Sequence, residues 1–221
     1  MSEHTTEKAY DYSQLWKLAA KAYGEQSEAP FIVGYAGSIK TMGLDKGVGQ
    51  IVEAVDILRG RGLPVSKAIA GTPASEMERL KQNDPHPEEY YGYIPHDDLH
   101  VFYNCCDVLV YPCPETDHPY FLRDTSPLKV FEYMAARRPV IAADTPPIRD
   151  VLDESMAYFY SMGDSEDMAR VIEYVLMHYE EAIGKAAVAY EEVRTKHTWE
   201  ARMKSIMDHV SHPLDSHPPS H

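Results

Sequence analysis

A lysine and a glutamate near the start of a predicted helix are the residues of this sequence best suited to chemistry. Ser126 is a favourable N-cap and Pro127 suits the first helical position, which places Lys129 in the first turn. The helix dipole disfavours a cation there, but an anion at that terminus would contact both the lysine and the free backbone amides. The pattern therefore predicts a phosphate-binding site at the start of this helix.

Glu132 lies one turn further along the same predicted helix. It is three residues from Lys129, so both side chains lie on one face. One interpretation is a surface ion pair worth a few tenths of a kcal/mol. The other is a carboxylate that faces a cleft and accepts hydrogen bonds from sugar hydroxyls. Both interpretations stay open at this point.

A loop at residues 37–47 combines glycines with lysines before another predicted helix. Gly37, Gly43 and Gly47 allow close approach to the backbone, and Lys40 and Lys46 add positive charge. The glycine spacing matches neither the dinucleotide fingerprint nor the P-loop. The loop is therefore either flexible with solvated lysines, or it binds an anion with the help of the free amides at the following helix start.

The elements that must position these residues alternate along the chain. Alternating strands and helices predict a doubly wound parallel α/β sheet, whose ligands bind beyond the carboxyl ends of the strands. The loop at residues 92–98 also lies at such an end, where the backbone of Tyr93 and Ile94 would face a ligand. The predicted strands are 31–37, 65–71, 90–94, 107–111, 139–143 and 157–160, and the predicted helices are 12–23, 47–61, 74–82, 97–105, 127–136, 147–152 and the remainder to about 210.

Composition narrows the class of protein. The formal net charge of -14 argues against nucleic acid and anionic lipid as partners. No apolar run reaches about 18 residues, and the polar N-terminus lacks a secretory signal. Three cysteines, two of them adjacent, suit buried thiols better than a disulfide framework or a zinc site. We therefore expect a cytoplasmic protein without a transmembrane segment.

Three segments are expected. Residues 1–30 form a lead-in with a short helix, residues 31–210 form one ligand-binding domain, and residues 211–221 form a disordered tail. The tail is rich in proline and histidine, and no functional metal site is expected there.

From about residue 31 to 210, the order of segments resembles the C-terminal domain of family 4 glycosyltransferases, which have the GT-B fold of two Rossmann-like domains. The glycine-rich loop of that family is similar to YAGSIKTMGLDKG in this chain, and its strand–helix–strand segment is similar to YYGYIPHDDLHVFYNCCDVLVYP. The most specific similarity is to SPLKVFEYMAARRPVIAADTPPIRDVL, and the family's terminal helix resembles HTWEARMKSIMD.

The resemblance implies binding of a nucleoside-diphosphate sugar, UDP- or GDP-linked, and transfer of the sugar with retention of configuration, without a cofactor or metal ion. Glu132 would bind the ribose. The residues that would bind the other donor groups are Ser126, Leu128 and Lys129 for the diphosphate, Gly37, Lys40 and Lys46 for its opposite side, and the backbone of Tyr93 and Ile94 for the base.

The chain departs from the family pattern at two positions. The family has two catalytic glutamates, and the position of the first is occupied by Asp124, eight residues before Glu132. Asp124 would then contact the donor sugar, with Glu115 as the alternative. The arginine that often follows the glycine of the first loop is replaced by Ser38, and Lys40 is the candidate substitute.

Members of that family usually need an N-terminal acceptor domain, and residues 1–30 are too short to form one. We expect either an excised domain or a chain that pairs with a separate acceptor-binding subunit. Two alternatives stay open. One is a nucleotide-sugar epimerase of the same fold, which would use Asp124, Glu132 and His118. The other is a non-catalytic nucleotide-sugar-binding or partner module with a degenerate site.

Overall fold

The computed structural model of the chain describes residues 13–23, 29–82, 84–198, 201, 203 and 207, without the side chains of Gln14 and Thr72. The strands are β1 (Phe31–Ser38), β2 (Lys40–Thr41), β3 (Leu44–Asp45), β4 (Val65–Thr72), β5 (Tyr90–Gly92), β6 (Val108–Tyr111), β7 (Val140–Ala143) and β8 (Tyr158–Tyr160). The helices are α1 (Ser13–Tyr23), α2 (Val48–Gly60), α3 (Ala74–Lys81), α4 (Leu99–Asn104), α5 (Leu128–Ala135), α6 (Pro146–Arg149), α7 (Ser165–Met177) and α8 (Tyr179–Lys196).

Six strands form one sheet in the order β5-β4-β1-β6-β7-β8, and each neighbouring pair is parallel. The predicted doubly wound α/β sheet is therefore confirmed. The chain adds β4 and β5 on one side of β1, and β6 to β8 on the other. The strand order reverses between β1 and β6, and sheets of this kind bind ligands beyond the strand ends at that point.

The central strand β1 is apolar along its length because helices cover both of its faces. Consecutive strand residues point to opposite faces. Ile32 packs in a buried cluster with Phe102 of α4, whereas Val33 packs in a second cluster with Val55 of α2 and Val171 of α7. A buried parallel strand therefore shows a continuous apolar run instead of alternation.

The loop predicted between the first strand and its helix contains a hairpin. Strands β2 and β3 pair antiparallel, with Lys40 opposite Asp45. The two central residues of the turn, Met42 and Gly43, have φ angles of 48° and 79°. Two left-handed residues in succession match a type I′ turn, which suits the twist of a two-residue hairpin. In this structure, the loop is therefore a folded hairpin and not an irregular segment.

The start of α5 differs from the prediction. The helix begins at Leu128, and Pro127 is its N-cap with φ -81° and ψ 58°. The Leu128 amide donates to the Ser126 carbonyl oxygen at 2.8 Å. That bond and those angles define an inverse γ-turn at Pro127. The prediction that the Ser126 side chain caps the helix is wrong, because the turn takes the place of a side-chain cap.

The ends of the chain test the predicted segments only in part. The expected lead-in helix is present as α1, and its Leu15 and Leu18 are buried. The C-terminal helical region is divided at His178 into α7 and α8. Most of HTWEARMKSIMD, residues 1–12 and the predicted tail lie outside the described residues, so the three segments stay predictions. Within the described residues, no helix combines the length and the apolar composition of a membrane-spanning segment.

The carboxyl ends of β1 and β4 meet so closely that a side chain at Gly71 has no space. A Cβ atom there would lie 1.8 Å from the Gly37 carbonyl oxygen. We expect Gly71→Ala to lower the free energy of unfolding by about 2–3 kcal/mol, as measured in urea, because the strand ends must separate. Gly184→Ala is the control, since a Cβ there meets nothing within 4 Å. A Gly71→Ala variant as stable as wild type would show that the strand ends separate without cost.

Candidate functional site

Two adjoining cavities lie where the strand order predicts a ligand. The first cavity, of about 220 Å³, is at the carboxyl ends of β1 and β4. The second cavity, of about 420 Å³, lies between α4 and α5, and both are bounded by His96 and Leu99. Five predicted donor-binding residues line the first cavity: Gly37, Ser38, Tyr93, Ile94 and Lys129. The structure thus brings three separate loops together at one place.

Glu132 lines the second cavity and is held by two donors. Lys129 Nζ lies 3.0 Å from its Oε2 atom, and the Tyr103 hydroxyl donates to the same oxygen at 2.6 Å. Burial, followed by the hydrogen bond to Glu132, raises the pKa of Tyr103, so the phenol stays a neutral donor. The ion pair with Lys129 is therefore present at a cavity wall, and the binding of sugar hydroxyls by Glu132 stays a prediction.

Lys129 reaches the first cavity because Gly37 has no side chain. A Cβ atom at Gly37 would lie 3.3 Å from Lys129 Cε and 3.0 Å from the Tyr35 hydroxyl oxygen. The lysine stem therefore crosses the end of β1 beside Ser38. Its position brings a positive charge to the strand end beside Ser38.

Lys46 adds a second positive charge near Lys129. Burial lowers the pKa of Lys46, the anionic form of Tyr120 opposes this effect, and the charge of Lys129 lowers it further. Two ammonium groups that raise each other's free energy favour a bound anion between them. The amides before α2 are already used, since Lys46 donates to the Ile39 oxygen and Gly47 to Asp45. The prediction that the Gly47 amide is free for an anion is therefore wrong.

Lys46 lines neither cavity, and three other predicted residues also lie outside both of them. Lys40 Nζ is paired with Glu76 Oε1 at 2.9 Å. Asp124 is exposed, and its hydrogen bonds from Arg123 lower its pKa. Glu115 lines a different, acidic groove together with Glu53 of α2 and Asp164. The roles predicted for Lys40, Asp124 and Glu115 stay predictions, and each needs a rearrangement to reach the cavities.

Ser126, Leu128 and His118 also line neither cavity. Ser126 and Leu128 are exposed at the start of α5, and 65% of Leu128 is accessible. The His118 ring nitrogen Nδ1 accepts a hydrogen bond from the Tyr120 amide. Among the described residues, no group of three or more His, Cys, Asp or Glu side chains could hold a metal ion.

Sequence patterns did not single out three residues of the site, namely His96, Leu99 and Tyr103. His96 stands in the predicted loop at residues 92–98, so its position at a strand end was the available signal. Tyr103 lies on an apolar helix and contacts a glutamate 29 residues away. That contact depends on the packing of α4 against α5, which no local pattern reports.

Comparisons with known proteins identify a matching family and similar structures. Residues 30–178 match the family described as glycosyl transferases, group 1. The structure of HepE from Anabaena in complex with UDP and glucose is similar, with TM-score 0.65, 16% identity, and coverage of 91% of this chain and 53% of that one. Sucrose-phosphate synthase from Thermosynechococcus elongatus has TM-score 0.65, 22% identity, and coverage of 88% and 50%.

A third structure is a single domain. The C-terminal domain of the group 1 family protein LpcC from Francisella tularensis has TM-score 0.62 and 18% identity, and the match covers 86% of this chain and 95% of that domain. The chain thus spans about half the length of HepE and of the synthase, and nearly the whole LpcC domain. No curated relative matches it in sequence. The family match covers more than half of the chain, and the fold is a Rossmann-like domain of the GT-B type; the chain belongs to the group 1 glycosyl transferases.

Proposed function

We propose that this chain is the C-terminal, donor-binding domain of a retaining glycosyltransferase of family 4 type, and that it binds a UDP- or GDP-sugar. The observation that carries the proposal is the meeting of Lys129, Glu132 and Gly37 at the point where the strand order reverses. The complex of HepE with UDP and glucose, and the match to an isolated C-terminal domain, support it.

The chain's own residues would act mainly through charge. Lys129 and Lys46 would stabilise the negative charge that develops on the diphosphate as the sugar leaves. Glu132, fixed by Tyr103, would accept hydrogen bonds from the ribose hydroxyls. Asp124 is our candidate for contact with the donor sugar, which requires release from Arg123. The acceptor would be bound by an N-terminal domain or by a separate subunit.

One arrangement favours the alternative of a non-catalytic binding module. Lys40 and Asp124, two residues with predicted roles, are both engaged by charged neighbours within the chain. Such a module would bind nucleotide without turnover. Activity that appears when an acceptor-binding subunit is supplied would separate the two functions. The epimerase alternative is not favoured, since His118 and Asp124 do not gather with Glu132.

Calorimetric titration with UDP, GDP and ADP tests the donor site. We expect one nucleotide to bind in the micromolar to millimolar range and Glu132→Gln to weaken it about five- to tenfold, because a charge-assisted hydrogen bond becomes a neutral one. Glu191→Gln is the matched control, since Glu191 is an exposed partner of Arg194 on α8. A folded protein that binds none of the three nucleotides would contradict the proposed function.

A further inference from the structure

The hairpin β2–β3 is fastened beside the first cavity by polar contacts of its stem. Lys40 pairs with Glu76, and the Thr41 hydroxyl lies 3.4 Å from that of Tyr120. The tip has few contacts, since 76% of Met42 is exposed and a Cβ at Gly43 would meet nothing within 4 Å. The position of the hairpin therefore depends on the contacts of its stem.

The ion pair of Lys40 and Glu76 connects the segments that follow two neighbouring strands, β1 and β4. Ser38 and Thr72 are opposite each other in the register of β1 and β4, and both strands end there. Lys40 follows Ser38 by two residues, and Glu76 lies in the first turn of α3, where the helix dipole favours a carboxylate. The carboxylate of Glu76 is thus paired with Lys40 just beyond the strand end whose Ser38 lines the first cavity, and Lys129 is the lysine in that lining.

The ion pair between Lys40 and Glu76 is of a kind in which the lysine can exchange its carboxylate partner for another anion. Lys40 and Glu76 keep 30% and 21% of their side-chain surface exposed, and partly exposed pairs contribute little to stability. A diphosphate carries more negative charge than one carboxylate and more acceptor oxygens, so it forms stronger charge-assisted bonds with an ammonium group. Four-carbon lysine stems also change direction readily.

We propose that Glu76 is a positioning residue that competes with the ligand's diphosphate for Lys40. In this structure, Glu76 holds Lys40 and the hairpin stem toward α3. When the diphosphate binds beside Lys129 and Lys46, Lys40 leaves Glu76 and becomes the third cation on the phosphates. This inference rests on the proposed function, and it explains why a lysine predicted to bind phosphate is paired within the chain.

Opposite effects of two substitutions test the competition. In calorimetric titrations of the whole chain with the nucleotide that binds wild type, we expect Glu76→Gln to tighten binding about three- to tenfold, because Lys40 no longer has a competing anion. Lys40→Met should weaken binding by at least a similar factor. In the double variant, the gain from Glu76→Gln should vanish. A merely structural pair would give two losses of the same sign.

The controls separate this inference from the proposed function. Glu78→Gln removes an exposed carboxylate from the same helix and should leave affinity unchanged. Glu76→Asp, which shortens the reach to Lys40, should give a smaller gain and serves if the glutamine variant does not fold. Nucleotide binding by wild type with unchanged or weaker binding by both Glu76 variants overturns the competition only. Failure of wild type to bind UDP, GDP, ADP or inorganic pyrophosphate overturns the donor site and the competition together.

Discussion

Replacing Lys129 with methionine is expected to weaken nucleoside-diphosphate binding by roughly 30-fold, the largest loss that a single lysine of the site should cause. That factor corresponds to about 2 kcal/mol, within the range for hydrogen bonds to charged groups. Lys129 lines the first cavity, crosses Gly37 and pairs with Glu132. Under the proposed function, its loss would remove a phosphate contact and one of the two donors that orient Glu132 toward the ribose.

Methionine is the informative replacement because it keeps an unbranched apolar stem across the strand end and removes only the charge. Lys196→Met is the matched control, since that lysine pairs with Glu192 on the surface of α8 and the net charge changes equally. Calorimetry on both variants measures their nucleotide affinities. A loss in Lys129→Met alone indicates a local contact, whereas equal losses indicate long-range attraction of the anion. Lys129→Arg should retain most of the affinity, because the charge and the donors remain.

The charge of Lys129 also affects the pKa of Lys46, which binding experiments do not measure. Burial lowers the pKa of Lys46, and Lys129 contributes to the lowering. In Lys129→Met the pKa of Lys46 should therefore rise toward its ordinary value, which a titration by NMR would detect. Unchanged nucleotide affinity together with an unchanged Lys46 titration would show that the two lysines do not share one anion site.

The sheet was predictable from sequence because each buried strand is a separate apolar segment. β1 and β6 are continuous apolar runs that end near glycine or proline, and a parallel sheet buries both faces of such strands. The edge strand was less well predicted, since β5 ends at Gly92 and not at Ile94. The loop after Gly92 leaves the sheet where a left-handed residue, with φ 67°, turns the chain.

The sequence was sufficient to predict which loops form the candidate site. It was not sufficient to predict the contacts between side chains of different elements. Lys129 and Glu132 share a helix face, so their pairing followed from spacing alone. The partners of Lys40 and Glu132 that come from other elements, Glu76 and Tyr103, lie 36 and 29 residues away. The hairpin was not predicted because its turn places Met42 in a left-handed conformation, which non-glycine residues seldom adopt.

A buried cluster of charges under β4 and β5 was also beyond the sequence patterns. Lys67 is fully buried, with Nζ 3.0 Å from Asp84 Oδ2 and 3.0 Å from Glu89 Oε2. Glu89 also accepts hydrogen bonds from Ser66 and from Arg59, both at 2.5 Å. Lys67 follows Ser66 in a buried strand, and the carboxylate partners of the lysine come from the segment between α3 and β5. The cluster thus fixes the strand that leads into Tyr93.

We expect Lys67→Met to lower the free energy of unfolding by about 3–5 kcal/mol at pH 7. The substitution leaves two carboxylates in the interior without their shared cation, and breaking a buried pair in this way is strongly destabilising. Urea unfolding measures the change, and Lys17→Met, at an exposed position of α1, is the control. The double variant Lys67→Met, Asp84→Asn should lose less than the single one, because Glu89 keeps Arg59 and Lys21 as partners and Asp84 no longer leaves a buried charge. A double variant less stable than Lys67→Met would contradict this account.

The pH dependence of stability provides a second readout of the same cluster. Burial by itself raises the pKa of Glu89, but hydrogen bonds from Ser66 and Arg59 and the charge of Lys67 outweigh it and lower the pKa from 4.5 to about 2. A group whose pKa is lower in the folded protein stabilises the fold above its unfolded pKa. This contribution is complete above about pH 4.5 and is lost as the pH falls toward 2. Lys67→Met removes one of the lowering influences, so its stability should fall less steeply than that of wild type over this interval. Parallel pH profiles would show that Ser66 and Arg59 alone keep Glu89 ionised.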